Sequence, residues 1–317
     1  MKTTNTHYAV MGDLHLRFNQ VPVNRQDSFA RDIREKLQWV IDECKRRDTK
    51  YLILTGDLRD IKNITSWQEV INIISAFKMF DTAGIKVLTI KGNHDADICN
   101  YPIYQMLADL NLIHPLDNNP FILDKQEKIK VFGIDFTPDL KELQEKIMTL
   151  NSKVDKSDKN ILVIHEHLIP KLEGFFTKAN LNYLLYKDIS ILANNFKQVI
   201  GGHYHKPYPP TELNRVQIIN PSSLVRIAIN EKWIPNIYFS NTDEQIDIAV
   251  AKPHLEIFIK SSVLPTDDKK VDMTDLIDAL KSNDNTNEKQ EILTNLFNNM
   301  SKSAQATYER LEQEIFN

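Results

Sequence analysis

The sequence predicts an α/β fold whose strands are buried on both faces. Short apolar runs alternate along the first two-thirds of the chain with longer amphipathic stretches, and nearly every run ends in a cluster of polar residues. Alternating strands and helices indicate a parallel sheet covered by helices, and such strands read as near-continuous apolar runs. The runs lie at 8–11, 51–54, 86–90, 130–134, 161–164 and 198–200. Between them, 28–47 places Phe29, Ile33, Leu37, Val40, Ile41 and Cys44 at helical spacing, and 66–80 is a second amphipathic stretch.

The composition shifts after about residue 230. Stretches 236–240 and 255–259 read as strands of a small domain, 231–262, which follows a main domain at 1–230. Residues 263–270 are polar, contain Pro265 and read as a linker. In the remainder, 271–317, Leu296, Phe297, Met300, Tyr308, Leu311 and Ile315 form an apolar helical stripe.

With 317 residues and 42% hydrophobic content, the chain can fill a full-sized core and an appended smaller domain. No apolar run approaches the roughly 18–20 residues that cross a bilayer, and the amino terminus lacks the apolar core of a signal peptide. A cytoplasmic protein without a membrane partner is expected. Two cysteines, Cys44 and Cys99, make no disulfide framework. Cys99 lies near a metal-type motif but reads as a small buried residue. The net charge of −4 does not advertise nucleic-acid binding, although a local basic groove is compatible with it.

Five runs lead directly into potential metal ligands. These are Asp13 and His15 after the first, Asp57 after the second, and Asn93, His94 and Asp95 after the third. His165 and His167 follow the fifth, and His203 and His205 the sixth. The run at 130–134 is the exception, with Asp135 behind it. Each piece alone has an ordinary explanation, since Gly-Asp is a common turn and Gly-His-x-His can be two surface histidines. Five in order, each at a strand end, point to one site beyond the carboxyl edge of a sheet. Imidazole, carboxylate and amide together suit manganese or iron better than a thiolate-bound structural zinc.

The ordered motifs Asp-x-His, Gly-Asp, Gly-Asn-His-Asp, His and Gly-His-x-His resemble the calcineurin-like metallophosphoesterase superfamily over about residues 8–230. Within it the chain looks most like SbcD and the meiotic-recombination-eleven nucleases, including the tailed-phage recombination endonuclease subunit. The compact spacing, the segment 219–226 and the trailing domain with its terminal helix carry that likeness. The resemblance implies a β-sandwich core flanked by helices, a small α+β capping domain and carboxyl-terminal helices. It implies two divalent metal ions, expected to be Mn2+, one on Asp13, His15, Asp57 and His205 and another on Asp57, Asn93, His165 and His203. His165 and His167 both remain candidates for the fourth motif; His165, directly at the strand end, is favoured.

His94 is expected to face the substrate phosphate, with Asp60 or Asp95 holding its ring. Ser222 stands where the family has glycine. Asp60 stands where archaeal and eukaryotic relatives carry a histidine and phosphatase branches an aspartate. The implied function is a two-metal-dependent DNA nuclease acting with an SbcC-like coiled-coil ATPase. Arg17, Arg25, Arg59, Lys62, Lys91, Tyr204, Lys206 and Tyr208 are candidate DNA contacts. A homodimer is expected through helix 66–80 and the helix after Gly-Asn-His-Asp, with the terminal helix docking on the ATPase. The alternatives are a small-molecule phosphodiesterase and an inactive scaffold. Asp95 instead of glutamate argues against a Ser/Thr protein phosphatase.

Overall fold

The structure is a computed structural model. It describes residues 6–19, 21–22, 29–60, 66–95, 102–172, 181–226, 231, 233–241 and 246–250. The strands are β1 (Thr6–Met11), β2 (Tyr51–Leu54), β3 (Lys86–Thr89), β4 (His114–Pro115), β5 (Phe121–Asp124), β6 (Ile129–Ile134) and β7 (Lys159–Ile164). They continue with β8 (Leu168–Ile169), β9 (Leu184–Leu185), β10 (Gln198–Gly201), β11 (Tyr208–Leu213), β12 (Val216–Asn220), β13 (Asn236–Asn241) and β14 (Ile246–Val250). The helices are α1 (Phe29–Arg46), α2 (Trp67–Thr82), α3 (Ile103–Asp109), α4 (Leu140–Lys153) and α5 (Tyr186–Leu192).

Two six-stranded sheets form the body, ordered β14-β13-β1-β2-β3-β4 and β11-β12-β10-β7-β6-β5. In the first, β1, β2, β3 and β4 are parallel. In the second, β12, β10, β7 and β6 are parallel. Antiparallel strands close three of the four edges: β14 beside β13, β11 beside β12 and β5 beside β6. Pro209 and Pro210 fall in β11, at an edge, where a strand tolerates residues that cannot donate to a ladder.

Strand alternation explains the layering. In β1, Tyr8 and Val10 join an inter-sheet core with Ile53, Leu88, Val131, Ile161 and Val163. Ala9 and Met11, on the other face, pack with Leu52, Leu54, Phe29 and Leu37 of α1, and Phe77 of α2. On the far side, Leu162 and Ile164 of β7 pack with Leu143 and Ile147 of α4 and Ile189 of α5. Burying each large aliphatic side chain is worth about 1.5–3 kcal/mol. Strands apolar on both faces are therefore stable only as inner layers, giving helices, sheet, sheet, helices. This is the β-sandwich flanked by helices that the resemblance implies.

Two expectations change. Sequence position alone puts residues 236–240 in a trailing small domain, but β13 pairs antiparallel with β1 in the first sheet. A short strand-like segment carries no mark of which sheet it joins, so the sequence places it by position alone. The helix at 66–80, expected to pair in a homodimer, has more apolar residues than one buried face needs. Of these, Val70, Ile73, Phe77 and Phe80 are buried in its own core, leaving Trp67 and Ile71 exposed. The stretch 255–259, the linker 263–270 and the helical region 271–317 lie outside the described residues. Among the described residues no helix is long and apolar enough to cross a membrane.

Candidate metal centre

The predicted ligand-bearing loops meet where the parallel strands of both sheets end. Asp13 and His15 leave β1, Asp57 leaves β2 and Asn93 leaves β3, all from the first sheet; His165 leaves β7 and His203 and His205 leave β10, from the second. Among the described residues four groups with ligand atoms within 4.8 Å of one another could hold metal: Asp13, His15 and His205; His15, Asp57 and His94; Asp57, His165 and His203; and Glu166, His167 and His203. Asp57 Oδ2 lies 3.8 Å from His15 Nε2 and 3.4 Å from His165 Nε2, so one carboxylate faces both clusters.

The loops are held tightly. His15, Asp57 and His203 adopt φ of 45°, 47° and 69°, a region that favours glycine. Such conformations persist only where surrounding bonds over-determine them. Leu14 and His15 both donate their main-chain N–H to the Asp57 carbonyl, and His203 N–H donates to Asp13 Oδ2 at 3.0 Å. Gly92 permits the approach of the third loop, because a Cβ there would fall 2.1 Å from Asp57 Oδ1. Gly12 does the same for the segment after β12, where a Cβ would lie 2.4 Å from the Ser222 carbonyl oxygen. Ser222 itself is buried, and its hydroxyl accepts from Asn236 N–H at 2.9 Å, tying that segment to β13.

The donor set fits cations. His165 Nδ1 lies 2.7 Å from the Thr55 carbonyl, which can only accept, so Nδ1 carries the hydrogen. Its Nε2 then faces Asn93 Oδ1 at 2.9 Å and Asp57 Oδ2 at 3.4 Å, where either a proton or a metal ion can lie. On the other side, His205 Nε2 lies 2.8 Å from His15 Nε2 and 3.6 Å from Asp13 Oδ2. Lone pairs gathered this closely repel unless a proton or a metal ion lies among them.

The proton affinities reflect that crowding. Burial pushes the His165 imidazole down, but Asp57 and Asp13 outweigh it and hold its pKa up to about 10. Burial, with His165 and His167 nearby, drives His203 down to about 2. Burial and His205 hold His15 well below the usual imidazole range. Burial raises the Asp57 carboxyl, yet His165, His15 and His94 outweigh it and keep it ionised. The protein thus presents His15 and His203 neutral and Asp57 as an anion, the forms that bind a metal, whereas His165 must give up a proton to bind one.

A family model of calcineurin-like phosphoesterases matches residues 6–207, spanning every motif from Asp13 to His205. The chain belongs to the calcineurin-like phosphoesterase family. Among curated proteins it is similar to the DNA double-strand break repair protein Mre11 of Sulfolobus acidocaldarius, 25% identical over 230 residues that cover 69% of this chain and 52% of that protein. It is also similar to the protein of the same description from Archaeoglobus fulgidus, 22% identical over 174 residues, covering 50% of this chain and 38% of that protein. The chain thus spans about half the length, or less, of these relatives.

In this phosphoesterase the fourth motif directs His165 to Asp57. His167 lies further out, with its ring 4.0 Å from that of His203 and its Nδ1 2.9 Å from the Asn182 carbonyl. The expected support of His94 is corrected. Its Nδ1 lies 2.6 Å from the main-chain carbonyl of Asp60, not from either carboxylate. The Asp60 carboxylate accepts from Arg17 Nη1 at 2.9 Å. Asp95 is buried and accepts from Leu58 N–H at 3.0 Å and Gly92 N–H at 2.8 Å, joining the second and third loops. Burial and then Asp57 push its carboxyl up to about 7.

Of the candidate DNA contacts, Arg59 is only 2% exposed, which removes it from the surface. Lys206 is exposed beside the Tyr208 ring, and Lys91 Nζ lies 5.3 Å from the Tyr104 ring centroid. Arg25, Lys62 and Cys99 lie outside the described residues. Sequence reasoning missed three supports of the site. Thr55 Oγ1 donates to Asp13 Oδ1 at 2.8 Å. Phe136 packs its ring 5.9 Å from His165 and 5.6 Å from His203. Glu231 Oε1 lies 3.1 Å from His205 Nδ1. Of these, only Thr55 adjoins a motif.

Proposed function

We propose that this phosphoesterase is a two-metal DNA nuclease that hydrolyses phosphodiester bonds at DNA ends, the catalytic subunit of an SbcC–SbcD-like complex. The observation that carries the two-metal part is the position of the Asp57 carboxylate, facing His15 on one side and His165 on the other. The choice of DNA rests on similarity to proteins described as DNA double-strand break repair proteins. Asp13, His15, Asp57 and His205 would hold one ion and Asp57, Asn93, His165 and His203 the other. Bound there, two divalent ions, manganese by preference of this donor set, supply charge for the phosphoryl oxygens and a water ionised near neutral pH.

The chain's own residues do the rest. The Asp60 carbonyl holds His94 Nδ1–H, leaving Nε2 as its reactive atom. In the protonated ring, Nε2–H gives its proton to the leaving oxygen as the phosphorus–oxygen bond breaks, a contribution of about 10²–10⁴ in rate. His94 N–H donates to Asp57 Oδ1 at 2.8 Å, so the same residue steadies the shared carboxylate. The exposed side chains of Trp67 and Ile71, one turn apart on α2, support a homodimer through that helix and α3. The terminal helix remains the proposed dock for a coiled-coil ATPase.

The test is an assay with manganese on linear duplex DNA, closed circular DNA and a cyclic nucleotide, with and without the ATPase. Release of nucleotides from linear DNA supports the reading. Turnover of the cyclic nucleotide with no DNA product replaces it with a small-molecule phosphodiesterase.

A further inference from the structure

We infer that Glu231 is a positioning residue for His205, fixing the imidazole so that Nε2 is presented to the first ion. The inference rests on the two-ion assignment above. His205 Nδ1 faces Glu231 Oε1 at 3.1 Å, and a carboxylate oxygen accepts, so the hydrogen sits on Nδ1. Nε2, 3.6 Å from Asp13 Oδ2 and 2.8 Å from His15 Nε2, is then left with its lone pair. Glu231 is 9% exposed, which keeps water from competing for that contact. Arg226 Nη1 donates to the Glu231 carbonyl at 3.0 Å and holds the main chain that carries the carboxylate.

Glu231 lies outside residues 6–207, which the family model covers. It sits in the connection between β12, in the second sheet, and β13, which pairs with β1 in the first. The crossing between the two sheets therefore reaches back to orient a ligand on β10's loop. Carboxylates placed behind a ligating histidine raise its basicity and fix its ring, and losing one weakens metal affinity by about 10–100-fold.

Calorimetric titration of the metal-free full chain with Mn2+ tests this. Glu231→Ala should weaken one binding phase about 10–100-fold and leave the other within about threefold. Glu231→Gln, which keeps an acceptor oxygen, should recover most of that loss. The double variant Glu231→Ala/His205→Ala should bind no worse than His205→Ala, because Glu231 acts only through that ring. Equal weakening of both phases, no recovery by glutamine, or multiplying effects in the double variant would overturn the inference. The titration contains no DNA, so a wild-type chain that binds two ions and cuts no DNA defeats the nuclease reading alone.

Discussion

At the scale of single residues, variants of His94 and Asp60 test the proposed separation of proton transfer from metal holding. His94→Ala keeps the main-chain N–H that donates to Asp57 and removes only the ring. Hydrolysis should fall at least about 100-fold while elemental analysis still finds both ions; loss of an ion would show that the ring is a ligand. Asp60→Asn keeps the carbonyl that holds His94 and removes one charge from the Arg17 pair. A partly exposed ion pair is worth about 1 kcal/mol or less, so kcat should change by no more than about fivefold. A 100-fold fall would restore the carboxylate to the role that the sequence suggested for it. The ligand types were legible because each motif is local, a few residues after an apolar run. Asp60 was legible beside His94 but not the group it uses, a main-chain carbonyl, which every residue has, and the partner of His205 was not legible at all. Glu231 is 26 residues away and no periodicity marks it.

At the scale of elements, the central strands were legible and the edges were not. β1, β2, β7 and β10 are buried on both faces and so read as apolar runs. β4 and β8 are two residues long, and β11 contains two prolines, so neither composition nor alternation announces them. α2 shows how a helix can be recognised while its faces are misread. The apolar residues between 67 and 80 suggest a surplus of partner surface, but Val70, Ile73, Ala76, Phe77 and Phe80 are buried in the core with the sheet and α1. What remains exposed is Trp67, at 77%, and Ile71, at 54%. If these residues carry the dimer, Trp67→Glu with Ile71→Glu should convert it to monomer in sedimentation, with α2 and its buried face intact by circular dichroism. A wild-type chain that sediments as a monomer at every micromolar concentration contradicts the interface.

At the scale of the whole molecule, the site exists because two sheets are stacked with their parallel strands ending on the same side. Neither sheet carries the whole of the proposed ligand set. The first supplies Asp13, His15, Asp57 and Asn93, and the second His165, His203 and His205. Packing of the inter-sheet core by Val10, Ile53, Val163 and Ile200 therefore sets the distance between the two halves. The sequence order of the motifs was readable, but that they come from two sheets was not, because strand order within a sheet leaves no trace in a single chain. The central claim is that Asp57, shared between the halves, makes two ions act as one centre on DNA. It is tested most directly by adding Mn2+ stepwise to metal-free protein and measuring hydrolysis of linear duplex DNA at each step. Activity should stay near zero below one equivalent, rise steeply between one and two, saturate at two, and be absent at any ratio in Asp57→Asn. Full activity at one equivalent, or an Asp57→Asn variant that still cuts DNA, would contradict it.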